Sequence, residues 1–140
     1  MNFATILLIA PPILVALTFH ECAHAYAAYR YGDDTAKQLG RLSLNPLRHL
    51  DPLGTIMIFL VHFGWAKPVP VNPYRLKNTR KDMLWISAAG PLANILLALA
   101  SGLLLRLLFA IGGTPGSQTG TAMELVIFMV IMSLQINLAL

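Results

Sequence analysis

Charge is what this 140-residue sequence has least of. Asp, Glu, Lys and Arg together make up 11%, where soluble domains carry roughly 25%. With 56% apolar residues and a mean hydropathy of +0.66, the deficit points away from a soluble domain and toward a polytopic membrane protein. Cysteine is nearly absent, and the single Cys22 excludes an intramolecular disulfide framework; it reads as a small packing residue. The apolar start "MNFATILLIAPPILVALTF" has no positively charged region ahead of it, so it reads as a retained helix and not as a cleaved signal. Internal repeats and low-complexity tracts are missing too, and residues 1–140 read as one domain.

Basic residues are present in number, with a sequence pI near 9.6, but no base-reading or stacking motif accompanies them, so nucleic acid is not expected as a partner. Their distribution is topological. Nine of the ten Lys and Arg lie between Arg30 and Lys81, and only Arg106 lies outside. Basic residues collect in cytoplasmic loops, which places the N-terminus outside and sends Leu140 inward. The lipid bilayer is then the first partner, and a multi-pass membrane protein is expected.

Four apolar segments organise the chain. The first, Phe3 to about Tyr31, is long enough to span; Pro11-Pro12 should kink it or mark where its regular part begins, and Gly32 should stop it. Tyr26, Tyr29 and Tyr31 suit an interfacial aromatic belt. The second, Leu53 to Ala66, is short of the roughly 20 residues that a spanning helix needs and has basic clusters on both sides, which fits a re-entrant or half-crossing segment. The third runs from about Met83 to Ile111 through Gly90-Pro91, a helix-interrupting step, and carries Arg106 where it can snorkel outward. The fourth is Thr121 to Leu140, after the connector "GGTPGSQTG", which holds no Lys or Arg. Between them, "KPVPVNPYR" alternates and is punctuated by proline, as an edge strand is. "GRLSLNP" is a second candidate strand, with Leu42 and Leu44 on one face. The expected fold is therefore a membrane all-α helical bundle of three spanning helices, one short re-entrant segment and a small β-strand and loop insertion.

One stretch violates the apolar pattern. "ALTFHECAHAYAAYRYG" puts His20, Glu21 and His24 into the first segment. At a helix centre Asp, Lys or Arg costs roughly 2.5–3.5 kcal/mol, so a glutamate flanked by histidines needs a compensating interaction. Positions i and i+4 share a helix face, so both imidazoles can hold one cation with the carboxylate beside it, the spacing of zinc-dependent peptidases. His20 and His24 are then candidate metal ligands, Zn²⁺ the candidate cofactor, and Glu21 the candidate general base. Bound structural zinc contributes apparent binding of roughly 10–16 kcal/mol, enough to offset the burial. At about 1.5 Å per residue the site lies roughly 12 Å inside the Gly32 end, so water must reach it from the cytoplasmic side.

The competing reading is of ordinary polar residues facing a bundle interior. No good third ligand is visible. Asp33 and Asp34 read as a solvated turn, Asp82 as a helix start, Asp51 with His49 as loop residues, and Glu124 as lying at the outer end of the fourth segment. Asn94, one turn beyond Gly90, is expected either to support the site or to pack between helices.

The H-E-C-A-H motif, the "GRLSLNP" loop, "DPLGT", "GWAKPVPVNPYR" and "SAAGPLAN" together resemble the site-2 protease family of intramembrane zinc metalloproteases, of the compact bacterial kind. The resemblance covers nearly the whole chain. It implies a zinc site between core helices that cleaves a peptide bond of another membrane protein, with His20 and His24 matching the metal ligands and Glu21 the general base. The family's third ligand is an aspartate in an Asn- and Pro-rich segment ending Asp-Gly, and "SLQINLAL" stops short of it, so a C-terminally truncated chain is expected. An edge strand from Lys67 to Asn72 could hold an unwound substrate by strand addition, with Val69 and Val71 as candidate substrate-binding residues. A membrane zinc transporter and a catalytically silent scaffold are the alternatives. Substrate identity and oligomeric state are not legible.

Overall fold

The computed structural model describes residues 3–61, 65–110 and 121–140. Helix α1 is Phe3–Arg30, α2 Thr35–Gln38, α3 Pro52–Val61, α4 Thr79–Ala110 and α5 Thr121–Ala139. Short 3₁₀ turns occupy Pro46–Arg48 and Pro73–Arg75. The connector "GGTPGSQTG" and Ile111 lie outside the described residues.

Two helices, Leu7–Arg30 within α1 and Thr79–Ala110, are long and apolar enough to cross a membrane. Met123–Ala139, within α5, is a shorter apolar helix. Only 17% of each long window is buried. A core helix of a soluble protein hides most of its apolar side chains, whereas Leu84, Leu92, Leu96, Leu99 and Leu103 all stand exposed on α4, as a lipid-facing helix requires. Helix α1 begins at Phe3 and passes through Pro11-Pro12, so the prolines do not mark its start.

The chain forms two compact units, one of Leu17–Ala93 and one of Met1–Ala16 with Asn94–Leu140. In the second, Ala98 and Ile127 are buried. Ser101 and Ser133 pair their hydroxyls at 3.0 Å, and Asn137 donates to the Ser133 carbonyl at 2.8 Å. The Ser101–Ser133 bond ties α4 to α5 where the apolar effect between helices is weak, while the Asn137 bond stays within α5.

The Leu17–Ala93 unit is built around Ala28, Leu76 and Ile86, with Ala27, Tyr31, Val71 and Met83 packed against them. Its loop structure is set by two helix stops. After α1, Gly32 takes φ +107°, Asp33 N–H bonds the Ala28 carbonyl at 2.9 Å and Gly32 N–H that of Tyr29 at 3.2 Å. After α2, Gly40 takes φ +68°, with Arg41 N–H on Ala36 at 2.8 Å and Gly40 N–H on Lys37 at 3.0 Å. Both are Schellman stops, in which a glycine accepts the left-handed conformation and the residue after it is turned back toward the helix. Those next residues, Asp33 and Arg41, are buried at 0% and 5% exposure. The expected solvated turn therefore holds for Asp34, exposed and paired with Arg75, but not for Asp33.

The expected re-entrant segment is the ten-residue α3, about 15 Å long, half the hydrocarbon thickness. Asp51 caps it: its Oδ1 accepts from Gly54 N–H at 2.8 Å and its carbonyl from Thr55 N–H at 2.8 Å, with Pro52 at the first helical position. His49 is buried and donates from Nε2 to the Ser43 carbonyl at 2.7 Å. Asp51 and His49 thus serve loop architecture. Asp82 stands at the start of α4 as expected, accepting from Asn78 N–H at 2.7 Å.

Neither candidate strand forms a strand among the described residues; the pairing there is one isolated bridge, Leu50 with Ala66. In "GRLSLNP", Asn45 instead caps the Pro46–Arg48 turn by accepting from Leu47 N–H at 3.0 Å. In "KPVPVNPYR", Pro68, Pro70 and Pro73 have no N–H to give a ladder. The Val69 and Asn72 amides go to carboxylates, Glu21 and Asp33. The stretch is an extended loop in which the Val69 and Asn72 amides are taken by side chains, and the β part of the expected fold is absent from the described residues.

Candidate metal centre

On α1, His20, Glu21 and His24 fall within one turn, all half-buried. The two imidazoles stand with ring centroids 4.7 Å apart and planes at 79°. His24 Nδ1 lies 2.6 Å from the Ile86 carbonyl of α4. A carbonyl only accepts, so Nδ1 carries the proton and Nε2 keeps its lone pair, the tautomer that a metal ligand needs.

Gly90, one turn further along α4 and buried, faces both rings. A Cβ placed on it would lie 2.6 Å from His20 Nε2, 2.7 Å from His24 Cε1 and closer still to His24 Nε2. The two Nε2 atoms therefore converge on a space that exists because residue 90 has no side chain. Zinc sits about 2.0–2.1 Å from a ligating imidazole nitrogen. Two imidazole nitrogens brought side by side from positions i and i+4 fit the histidine pair of a zinc site.

Glu21 is positioned from a different direction. Its Oε2 accepts the Val69 N–H at 3.2 Å, which leaves Oε1 for other partners. Among the described residues no group of three or more His, Cys, Asp or Glu could hold a metal ion; His20 and His24 remain a candidate pair, where a catalytic zinc site uses three protein ligands.

The backbone that reaches Glu21 is itself held by the two buried residues after the helix stops. Arg41 donates through Nη1 to the Arg48 carbonyl and through Nη2 to the Lys67 carbonyl, with Pro68 O at 3.3 Å. Burial pulls its pKa below the usual arginine value, and the Glu21 carboxylate opposes that shift. Asp33 accepts from Asn72 N–H at 2.6 Å, Thr35 N–H at 3.0 Å and the Thr35 hydroxyl at 2.5 Å. Burial would raise its pKa, but the Thr35 side chain, the Asn72 and Thr35 amides and the Arg75 charge together bring it below the usual carboxylate value.

Of the residues singled out in the sequence, His20, Glu21, His24 and Val69 come together in the Leu17–Ala93 unit. The Val71 side chain packs against the Ala28–Leu76–Ile86 core instead. Asn94 is buried on α4 in the other unit. Sequence reasoning missed Arg41, Asp33, the Ile86 carbonyl and the spacing role of Gly90. The signal for the first two was a Gly followed by a charged residue directly after a helix.

The sequence profile of peptidase family M50 matches residues 8–139. YwhC of Bacillus subtilis is 52% identical over 100 residues, 71% of this chain and 46% of that protein. Rip2 of Mycobacterium tuberculosis is 36% identical over 102 residues, 69% of this chain and 39% of its own length. Rip2 of Mycolicibacterium smegmatis is 34% identical over 91 residues, 61% and 34% of the two lengths. The names of all three carry the words zinc metalloprotease. The chain spans less than half the length of these relatives. No solved structure matches it.

Proposed function

The chain belongs to peptidase family M50, and from that premise we propose that it carries the core of an intramembrane zinc metalloprotease that cuts a peptide bond of a membrane-protein substrate. The observation that carries the reading is the convergence of His20 Nε2 and His24 Nε2 on the space over Gly90. His20 and His24 would hold the Zn²⁺ ion. When bound, zinc brings the pKa of a coordinated water toward about 7 and polarises the scissile carbonyl.

The remaining chemistry belongs to the chain's own groups. Glu21 Oε1 takes the proton of the attacking water and later passes it to the departing amine, while the Val69 N–H keeps the other oxygen fixed. The Ile86 carbonyl keeps the proton of His24 on Nδ1. The substrate must be unwound, because a helical peptide hides its carbonyls in its own hydrogen bonds. The Val71 N–H and the carbonyls of Val69 and Val71 make no hydrogen bond among the described residues, so they are available to an extended substrate backbone by strand addition. We read the protein as multi-pass in a bacterial inner membrane, with the site opening toward the cytoplasmic side, where Arg30, Lys37, Arg41 and Arg48 gather.

Glu21→Gln in the full-length protein tests this. The variant is expected to keep one zinc per chain and to lose hydrolysis of a quenched-fluorescent apolar decapeptide in detergent by roughly 10²-fold or more. Retained hydrolysis would defeat the role of Glu21, and zinc-free wild-type protein would defeat the whole reading.

A further inference from the structure

The geometry points to Arg41 as a positioning residue for this reaction: its guanidinium holds the Lys67 and Pro68 carbonyls so that the next amide, that of Val69, is delivered to Glu21 and the open edge of residues 69–71 is presented to substrate. The inference rests on the peptidase reading above.

Arg41 is buried at 5% exposure, and among the described residues no carboxylate pairs with it directly. Its charge is met by three backbone carbonyls from two loops, those of Arg48, Lys67 and Pro68, and by the field of Glu21. Burying a guanidinium is costly, and few other side chains could do this work. The planar fork of arginine reaches several carbonyls at once, where lysine offers a point charge and glutamine one amide.

The effect on the 67–72 stretch is specific. Lys67 N–H is fixed on the His49 carbonyl at 2.9 Å, the Lys67 and Pro68 carbonyls on Arg41, and Asn72 N–H on Asp33 at 2.6 Å. Both ends are thus held by buried charges, while the residues between keep unpaired polar groups. Pro68 and Pro70 have no N–H, so with the Lys67 and Pro68 carbonyls tied down the next amide the chain can offer is that of Val69, and it meets Glu21.

The test uses full-length, zinc-loaded protein in detergent and two variants, Arg41→Met, which keeps the stem without the fork, and Arg41→Lys, which keeps the charge. Residue-resolved hydrogen exchange needs no substrate. In Arg41→Met the Val69 amide is expected to exchange about tenfold faster, and the Asn72 amide, held by Asp33, to change by less than about threefold. Hydrolysis of the quenched-fluorescent decapeptide should show KM raised about tenfold, kcat lowered as Glu21 loses its partner, and one zinc per chain retained. Arg41→Lys should fall between. Unchanged exchange at Val69 overturns the proposal, as does faster exchange with unaltered KM. A loss of zinc or kcat with KM constant does so too. Failure of wild-type protein to hydrolyse the peptide defeats the peptidase reading instead, and the catalytic part of this proposal falls with it. If Arg41→Met does not fold, Arg41→Lys carries the same two readouts.

Discussion

Replacing Gly90 by alanine adds one methyl group at the point where the two histidines converge. That methyl would lie 2.6 Å from His20 Nε2 and closer to His24 Nε2, whereas non-bonded heavy atoms rest about 3.5–4.0 Å apart. Each ring must therefore retreat by about 1 Å. His24 cannot do so without giving up its 2.6 Å bond to the Ile86 carbonyl. Overpacking costs the fold about 1–3 kcal/mol. Losing ligand geometry and the Nδ1 partner together should weaken zinc binding by at least about 100-fold, close to 2.7 kcal/mol. The assay is metal content by mass spectrometry after equilibration with a graded chelator, with far-ultraviolet circular dichroism to follow the helices. Gly102→Ala is the control, because a Cβ there meets nothing within 4 Å, and alanine is the better helix former by about 0.5–1 kcal/mol. Wild-type zinc affinity in a folded Gly90→Ala protein would falsify the claim that the bare Gly90 backbone sets the placement of the two imidazoles.

Val69→Pro removes the amide that Glu21 Oε2 accepts; zinc content should hold while kcat/KM for the decapeptide falls about tenfold or more, and undisturbed hydrolysis would remove this stretch from the mechanism. Asp33 concerns stability. Its folded pKa is lowered, so its contribution is present in full above the unfolded value of about 3.9 and is lost as pH falls through the folded value. Asp33→Asn should cost about 1–3 kcal/mol at neutral pH and flatten the decline of Tm below about pH 4. An acid limb identical to wild type would show that the Asn72 and Thr35 contacts contribute nothing.

Local geometry explains why the heart of the site was legible in the sequence. Helix α1 places His20 and His24 one turn apart whatever surrounds them, because 3.6 residues per turn is a property of the backbone. Gly32 as the stop of α1, and the shortness of the segment before Trp65, follow from similarly local causes. "KPVPVNPYR" was misread because alternation and proline describe an extended chain but not its partners. The Val69 amide finds Glu21 across 48 residues of sequence, and no ladder forms when side chains take the available N–H groups. Asp33 was misread for the same reason: next to Asp34 and after a glycine it reads as solvated, and only the Asn72 amide, 39 residues away, shows why it is buried.

The sequence by itself determined the apolar helices, their stops and the pairing of two imidazoles with a carboxylate, since each depends on residues within a turn or two of one another. Tertiary structure decided which imidazole nitrogen is bare, through a carbonyl 62 residues from His24. It also decided that two imidazoles of α1 close on the bare Gly90 of α4, and that a buried guanidinium bonds the carbonyls of the loop facing Glu21. Those features depend on segments brought together by folding, and spacing along the chain carries no record of distances across it.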